Sequence, residues 1–93
     1  MRYAFKAPLL RFDHGRGVYH LVNLPFELSD IIDATPLARH GFGSIKVLAT
    51  VGATTWKTSI FPGSEAFLLL IAKKLIIAED LVVGDPIEVT LEL

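Results

Sequence analysis

The sequence predicts a mainly β protein with two short helices, in the order β-β-α-β-β-β-α-β. Two observations support this prediction. Apolar and aromatic stretches occur in pairs around short turn sequences, and the final stretch alternates strictly between apolar and polar residues. The chain has 93 residues, which is enough for one small domain and leaves no room for a second. We therefore expect a single domain spanning residues 1–93.

The first two strands are predicted to form a long hairpin over residues 2–24. The stretches YAFKAPLLRF and VYHLVNL flank the sequence DHGRG, whose two glycines can adopt the positive φ values of tight turns. A second hairpin joins SIKVLATV to TTWKTSIF through Gly52 and Ala53. The apolar run AFLLLIA, residues 66–72, predicts one more core strand.

The last strand has the clearest pattern. In PIEVTLEL, residues 86–93, four aliphatic side chains face one way, and two glutamates and a threonine face the other way. Because side chains on a strand alternate with a period of two, this pattern predicts which face of the strand is buried.

Two short helices are predicted between the strands. Ser29 can cap a helix that begins at Asp30, because a hydroxyl suits the N-cap and a carboxylate suits the first turn. Pro36 then ends the run. The second helix is predicted over about Lys73–Asp80, and a Gly–Asp turn leads from it into the last strand.

The composition predicts self-association. Hydrophobic residues make up 52% of the chain, which is more than a body of this size can bury, so apolar side chains should remain on its surface. We therefore expect a homo-oligomer with an unknown ligand or protein partner. The net charge of −1 gives no overall field toward nucleic acid, so a nucleic-acid partner is not favoured.

The charges are unevenly distributed along the chain. Residues 1–74 contain all nine basic residues and five acidic ones, whereas residues 75–93 contain five acidic residues and no basic one. Opposite charges attract weakly at a protein surface, and like charges on one strand face repel each other. We therefore expect the acidic last strand to lie near the basic first hairpin.

The sequence also suggests a cellular location. It contains no cysteine, and therefore no disulfide and no thiolate metal site. The first residues, MRYAFKAPLLRF, lack the apolar segment of a signal peptide. The longest apolar run has seven residues, against about 20 that are needed to span a bilayer. We therefore expect a cytoplasmic protein with no membrane partner.

The stretch TTWKTSIF raises the question of catalysis. Lys57 and Ser59 share one strand face and so resemble a serine–lysine dyad. A catalytic lysine must lose its hydration, whereas a strand lysine usually extends into solvent. We therefore interpret Lys57 and Ser59 as candidate ligand contacts on a solvated face. Trp56, on the opposite face, is predicted to be a buried core anchor whose replacement by alanine costs about 3 to 5 kcal/mol.

Lys73 and Lys74 are candidate anion-binding residues. They begin the second predicted helix, and the free N–H groups of a helix N-terminus favour anions. The alternative is a solvated lysine pair beside an apolar strand. The three histidines, His14, His20 and His40, lack the spacing of metal ligands. No metal and no cofactor are therefore predicted.

The order of a tryptophan strand, a lysine-bearing helix, a Gly–Asp turn and an alternating last strand resembles the bacterial domain-of-unknown-function family DUF1905. Trp56, Lys73, Gly84 and Asp85 carry these features, within the segments WKTSIFP and AKKLIIAEDLVVGDPIEVTLEL. The resemblance covers nearly the whole chain. It implies a small double-split β-barrel of about six strands capped by two short helices, in which Trp56, Gly84 and Asp85 are structural, and it implies no activity.

The chain departs from that family pattern in its second helix. Ile76 stands where relatives tend to carry an arginine, which weakens an anion site around Lys73, and Asp80 stands where glycine is common. Leu75, Ile76 and Ile77 are three consecutive large aliphatic residues, which cannot all face one core. We therefore expect these three side chains to form an interface with another subunit.

Three functions remain open. The first is a non-catalytic ligand-binding or protein-interaction module, which is favoured because no nucleophile, base and oxyanion donor are assembled. The second is a dimeric DNA-binding barrel, similar to a transcription regulator, with a modest basic patch on the first hairpin. The basic residues of this hairpin are Arg2, Lys6, Arg11 and Arg16. The third is a small enzyme that uses Lys57, Ser59 or a histidine.

Overall fold

The computed structural model describes residues 1–93 as a single antiparallel sheet that curls into a half-barrel and carries two short helices. The strands are β1 (Arg2–Pro8), β2 (Leu10–Asp13), β3 (Val18–Asn23), β4 (Ile45–Val51), β5 (Thr54–Pro62), β6 (Phe67–Leu70) and β7 (Pro86–Glu92). The helices are α1 (Phe26–Ala34) and α2 (Lys73–Ala78), and one 3-10 turn spans Gly41–Gly43. The predicted mainly β fold class is confirmed.

The strand order explains the curl of the sheet. The order is β1-β7-β4-β5-β6-β3-β2, so that the consecutive strands β1 and β2 form opposite edges. Only one residue, Leu9, separates these two strands. A sheet whose two edge strands are joined by one residue must bend until the end of β1 reaches the start of β2. The concave side of the bend encloses the core.

The division of the first strand at Leu9 makes seven strands, whereas the sequence indicated about six. The last regular pair between β1 and β7 is Pro8–Pro86, and the chain bends at the next residue. Leu9 is fully buried, and its N–H donates to the carbonyl of Asp85 at 3.0 Å. The carbonyl of Leu9 accepts the N–H of Gly84 at 2.8 Å, and Gly84 has a φ of +93°. The Gly–Asp turn therefore anchors the bend.

The core is a single cluster of 18 buried residues on the concave side. Strand β7 contributes Ile87, Val89 and Leu91 to it, while Glu88 and Glu92 of the same strand are exposed. The predicted alternation of the last strand is therefore confirmed. We call the opposite, convex side of the sheet the outer face.

Helix α1 begins four residues earlier than the sequence predicted. Pro25 occupies its N-cap, and the N–H of Ser29 donates to the carbonyl of Pro25 at 2.9 Å. Ser29 is therefore not the N-cap. It lies within the helix, its side chain is buried, and its Oγ accepts the N–H of Phe67 at 2.8 Å. A proline is tolerated at a helix start because the first N–H groups have no helical partner.

Helix α2 ends two residues earlier than predicted, in a Schellman motif. Asp80 has a φ of +51°, and its N–H donates to the carbonyl of Ile77 at 3.3 Å. The N–H of Leu81 donates to the carbonyl of Ile76 at 2.9 Å. The left-handed residue of such a motif is usually glycine. The aspartate at position 80 therefore occupies a conformation that glycine adopts with less strain.

Candidate functional site

The core does not fill the concave face evenly. An open cavity of about 670 Å³ lies between β2, β3, β5 and the start of α2. Its polar and aromatic lining includes Arg11, His20, Trp56, Thr58 and Lys73. Aliphatic side chains, among them Val18 and Ile71, line the rest. We call this space the concave cavity.

Strand β5 places Trp56 and Thr58 in the concave cavity. Side chains at positions 56, 58 and 60 share one face, and Ile60 on that face is fully buried in the core. Ala49 lies directly opposite Trp56 on β4, and its small side chain leaves space for the indole ring. Trp56 is half-buried and packs against the edge of the core. The prediction that Trp56 is a buried core anchor is therefore wrong about its burial, because this part of the strand lies at the open end of the half-barrel, although the ring does pack against the core.

Strands β2 and β3 supply Arg11 and His20. These residues lie directly opposite each other in the β2–β3 register, on the concave side with the buried Val22. His20 is half-buried. The guanidinium of Arg11 lies 3.8 Å from a carboxylate oxygen of Asp13, and both side chains are about half exposed. Arg11 therefore lies at the rim of the cavity.

Helix α2 covers one side of the concave cavity and separates it from a smaller one. Leu75 is buried and fixes the helix to the core, while Lys73 lines the concave cavity. On the other side of the helix start, Lys74 lines a cavity of about 320 Å³. Trp56 and Ala72 border both cavities. The predicted anion-binding pair is therefore divided between two cavities that share the tryptophan.

Glu79 ties the end of α2 to the β4–β5 turn. One carboxylate oxygen accepts the hydroxyl of Thr54 at 2.7 Å, and the other accepts the N–H of Ala53 at 3.3 Å. Gly52, in the same turn, has a φ of +58°, and a β-carbon at this position would meet the Glu79 carboxylate. These contacts hold α2 at the end of β5 that carries Trp56.

The polar side chains of the concave cavity have free hydrogen-bonding capacity. Those of His20, Trp56, Thr58 and Lys73 make no hydrogen bond or ion pair within the protein. They offer an ammonium group, an imidazole, an indole N–H and a hydroxyl. No three histidine or carboxylate side chains come together as metal ligands. The arrangement can therefore bind a polar molecule with an apolar portion.

Sequence reasoning identified Trp56 and Lys73 but missed the site that they share with His20 and Thr58. The alternation of β3 and β5 shows which residues face the same side as Val22 or Ile60. It does not show that these strands face each other across one cavity, because that depends on the strand order. The only available signal was an imidazole on the apolar side of a strand.

Lys57 and Ser59 lie on the outer face of the sheet. Lys57 is exposed and lies opposite Leu48, whereas Ser59 is half-buried and lies opposite Lys46. Their side chains form no hydrogen bond with each other. An exposed lysine keeps its hydration and is not activated as a base. The sheet therefore separates these two residues from Lys73 and from the concave cavity.

Helix α2 buries more of its aliphatic residues than the sequence suggested. Leu75 belongs to the core, Ile76 is half-buried against it, and Ile77 is 67% exposed. The expectation that all three contact another subunit is wrong for Leu75, because α2 packs that side chain against the half-barrel. Ile77 alone of the three is an exposed apolar side chain.

The predicted proximity of basic and acidic segments holds for β1 only. Arg2 lies opposite Glu92, and Lys6 lies opposite Glu88, in the β1–β7 register. Arg11 belongs to the concave side of β2 at the other edge of the sheet. The four basic residues of the first hairpin therefore do not form one patch, because its first strand is divided into β1, which pairs with β7, and β2, which pairs with β3.

The comparison with protein families gave a match over nearly the whole chain. A family model described as a domain of unknown function (DUF1905) matches residues 5–91. The chain therefore belongs to the DUF1905 family, as its resemblance to that family indicated. Comparison with curated proteins and with solved structures gave no match. Neither helix has the length and hydrophobicity required to cross a bilayer.

Proposed function

We propose that this DUF1905 member is a non-catalytic binding module whose concave cavity holds a small organic anion with an aromatic or aliphatic body. The observation that supports this proposal best is the combination of Trp56 with the unpaired side chains of His20 and Lys73 around one cavity. Small-molecule sites are mostly apolar and contain a few polar groups that orient the ligand. The concave cavity has this composition.

The size of the cavity fits a ligand of one or two rings. Its volume of about 670 Å³ lies within the range of about 300 to 1,000 Å³ that is typical of such sites. A ring stacked on the Trp56 indole would gain about 0.5 to 1.5 kcal/mol beyond the burial of its area. Ile71 and Val18 supply further apolar surface.

The charge of the lining favours an anion. Lys73 enters from α2 and Arg11 from β2, so that two cationic side chains border the cavity. Asp13 already accompanies Arg11 at 3.8 Å, whereas Lys73 has no anionic partner. A carboxylate or a similar group on the ligand would therefore contact Lys73, with His20 and Thr58 as further hydrogen-bonding groups. The lack of cysteine is consistent with a reducing cytoplasm, where we propose that the protein is located.

A catalytic role has less support. General-base catalysis by His20 would require a neighbouring group that orients the imidazole, and no carboxylate or hydroxyl is hydrogen-bonded to it. Thr58, the hydroxyl residue of the cavity, has no base hydrogen-bonded to it either. The side chains of the concave cavity therefore support binding more than bond cleavage.

The proposal can be tested with a matched pair of probes. 2-Naphthoate carries the expected anionic group, and 2-naphthylmethanol has the same rings without the charge. Calorimetric titration should show that the wild-type protein binds naphthoate about tenfold more tightly than the alcohol, because the alcohol leaves Lys73 without an anionic partner. The Lys73→Gln variant should lose this preference.

The matched control is Lys57→Gln, which removes a lysine from the outer face of the sheet. This variant should bind naphthoate as tightly as the wild-type protein. Equal affinities for naphthoate and the alcohol, or equal losses in the two lysine variants, would contradict the proposal.

A further inference from the structure

We infer that β2 is the edge through which two copies of this chain form a dimer, by antiparallel pairing of β2 with its symmetry mate around Phe12. This inference does not rest on the proposed ligand, because it uses the backbone and charges of the sheet edge. It assigns the dimer to β2, whereas the sequence favoured α2.

The backbone of β2 offers free hydrogen-bonding groups. The strand pairs with β3 only, and the N–H of His14 donates to the carbonyl of Gly17 at their shared turn. Bonded residues alternate along an antiparallel pair, so Phe12 and Leu10 are the next residues that bond to β3. The backbone N–H and carbonyl groups of Arg11 and Asp13 therefore point away from β3, toward the open edge.

The pairing on the other side of β3 supports this assignment. The N–H of Ile71, just after β6, donates to the carbonyl of His20 at 2.8 Å. His20 lies opposite Arg11 in the β2–β3 register. Since the carbonyl of His20 points toward β6, it does not bond to Arg11. The carbonyl and N–H of Arg11 are thus available to another strand.

Charge selects one register for a pairing between two copies. In a two-fold antiparallel arrangement, the residues of one strand whose backbone groups point toward the open edge must lie opposite the corresponding residues of the other strand. A two-fold axis at Arg11 would place Arg11 against itself, and an axis at Asp13 would place Asp13 against itself. An axis at Phe12 places Arg11 of each copy opposite Asp13 of the other. Opposite charges stabilise a cross-strand pair, and like charges destabilise it.

The same edge carries exposed aromatic and aliphatic side chains, of which Tyr19 and Leu70 also border the rim of the concave cavity. Phe12 and Tyr19 lie opposite each other in register, and each is 52% exposed. Leu21 lies opposite Leu70 in the neighbouring pair of strands, and Leu70 is exposed as well. Pairing around Phe12 would bring the two Phe12 rings together beside this surface. Contact between them would reduce the exposed apolar area that the composition predicts.

The other edge of the sheet does not offer the same complementarity. Strand β1 carries Arg2 and Lys6 on its outer face, and its partner strand β7 supplies the facing Glu92 and Glu88. Two β1 strands would therefore bring basic residues together. Basic residues at an exposed edge are a common protection against strand pairing. Only β2 has one basic and one acidic residue spaced for self-pairing.

Charge exchange tests the register. Sedimentation equilibrium of the wild-type protein should show a dimer whose dissociation constant is below about 100 µM. Arg11→Asp and Asp13→Arg should each weaken the dimer about tenfold or more, because each places like charges opposite each other. The double variant R11D/D13R restores the opposite pairs and should return the dissociation constant to within about threefold of the wild-type value. These residues are exposed, and circular dichroism should show that all variants remain folded.

Cysteine cross-linking tests the two-fold axis. The chain has no cysteine, so a single introduced thiol reports one position. Cα atoms opposite each other in a non-hydrogen-bonded antiparallel pair are about 4.5 Å apart, within the range of a disulfide. Phe12→Cys should therefore oxidise rapidly to a covalent dimer. Ile77→Cys, which is more exposed but lies on α2, should not.

The inference is overturned if the wild-type protein remains monomeric at about 100 µM. It is also overturned if the double variant fails to restore the dimer, or if Ile77→Cys cross-links faster than Phe12→Cys. The last result would instead favour an interface on α2. Binding of 2-naphthoate is measured separately, so failure of the dimer and failure of the ligand site can be distinguished.

Discussion

Strands β4 and β5 form one hairpin, yet their concave faces differ. The four concave residues of β4 are all buried, whereas only one of the four β5 residues opposite them is buried. In register, the pairs are Ile45–Ile60, Val47–Thr58, Ala49–Trp56 and Val51–Thr54. One face of one hairpin therefore contains a row that stabilises the core and a row that borders an open cavity.

The position of α2 explains this difference. The helix has six residues, and one of them, Leu75, is buried. The end of β5 that carries Trp56 is bordered by this short helix, while Ile60 at the other end lies fully inside the core. Stability and binding are therefore expected to depend on different residues of the same strand.

The largest effect is expected from Ile60→Ala compared with Trp56→Ala. Ile60 is fully buried, so its truncation should lower the free energy of unfolding by about 2 to 5 kcal/mol. Trp56 is larger but half-buried, and its truncation should cost only about 1 to 2 kcal/mol, less than the sequence predicted. Urea unfolding followed by circular dichroism measures both. A larger loss for Trp56→Ala would show that β5 is buried along its whole length.

The second comparison concerns the attachment of α2 to the hairpin. Glu79→Ala removes the hydrogen bonds to Thr54 and Ala53 and should cost about 1 to 2 kcal/mol. Glu65→Ala, in the exposed turn between β5 and β6, is the control and should change stability by less than about 0.5 kcal/mol. If the two variants unfold at the same urea concentration, Glu79 does not hold the helix in place.

The third comparison concerns the end of α2, where one substitution should stabilise the protein. Asp80 has a φ of +51°, and glycine adopts this conformation with less strain. Asp80→Gly should therefore raise the free energy of unfolding by about 1 kcal/mol, visible as a higher melting temperature. Affinity for 2-naphthoate should not change, because Asp80 lies outside the concave cavity. A lower melting temperature would contradict the left-handed helix end.

The smallest effect concerns the outer face. Arg2 and Lys6 lie opposite Glu92 and Glu88, without an ion pair within 4.0 Å. Exposed opposite charges contribute only about 0.2 to 1 kcal/mol each, and salt screens them. Sodium chloride should therefore lower the urea midpoint slightly. A midpoint that rises steadily with salt would show that repulsion dominates this face.

Strand patterns within the chain were predictable, whereas the arrangement of the strands was not. The alternation of β7 follows from its sequence, and the buried Ile87 and Val89 agree with it. The division at Leu9 depends on its hydrogen bonds to Gly84 and Asp85, which are far from it in the chain. For the same reason, local patterns could not show that His20 lies across a cavity from Trp56.

The helix ends show a similar limit. Ser29 has the local signature of an N-cap, but its hydroxyl oxygen accepts a hydrogen bond from the N–H of Phe67, 38 residues away. A tertiary hydrogen bond therefore overrode a local preference. Asp80 was identified as unusual from the family pattern, and only its φ value gave the physical reason. The candidate site combines both cases, since Lys73 was identified locally and its neighbours were not.

Intermolecular nuclear Overhauser effects between 2-naphthoate and the side chains of β5 test the central claim most directly. Trp56 and Thr58 lie on the concave face, and Lys57 and Ser59 lie between and beside them on the outer face. We predict that naphthoate protons contact the Trp56 indole and the Thr58 methyl group, and not the side chains of Lys57 or Ser59. Contacts to Lys57 and Ser59 without contacts to Trp56 would place binding on the outer face and contradict the proposed function.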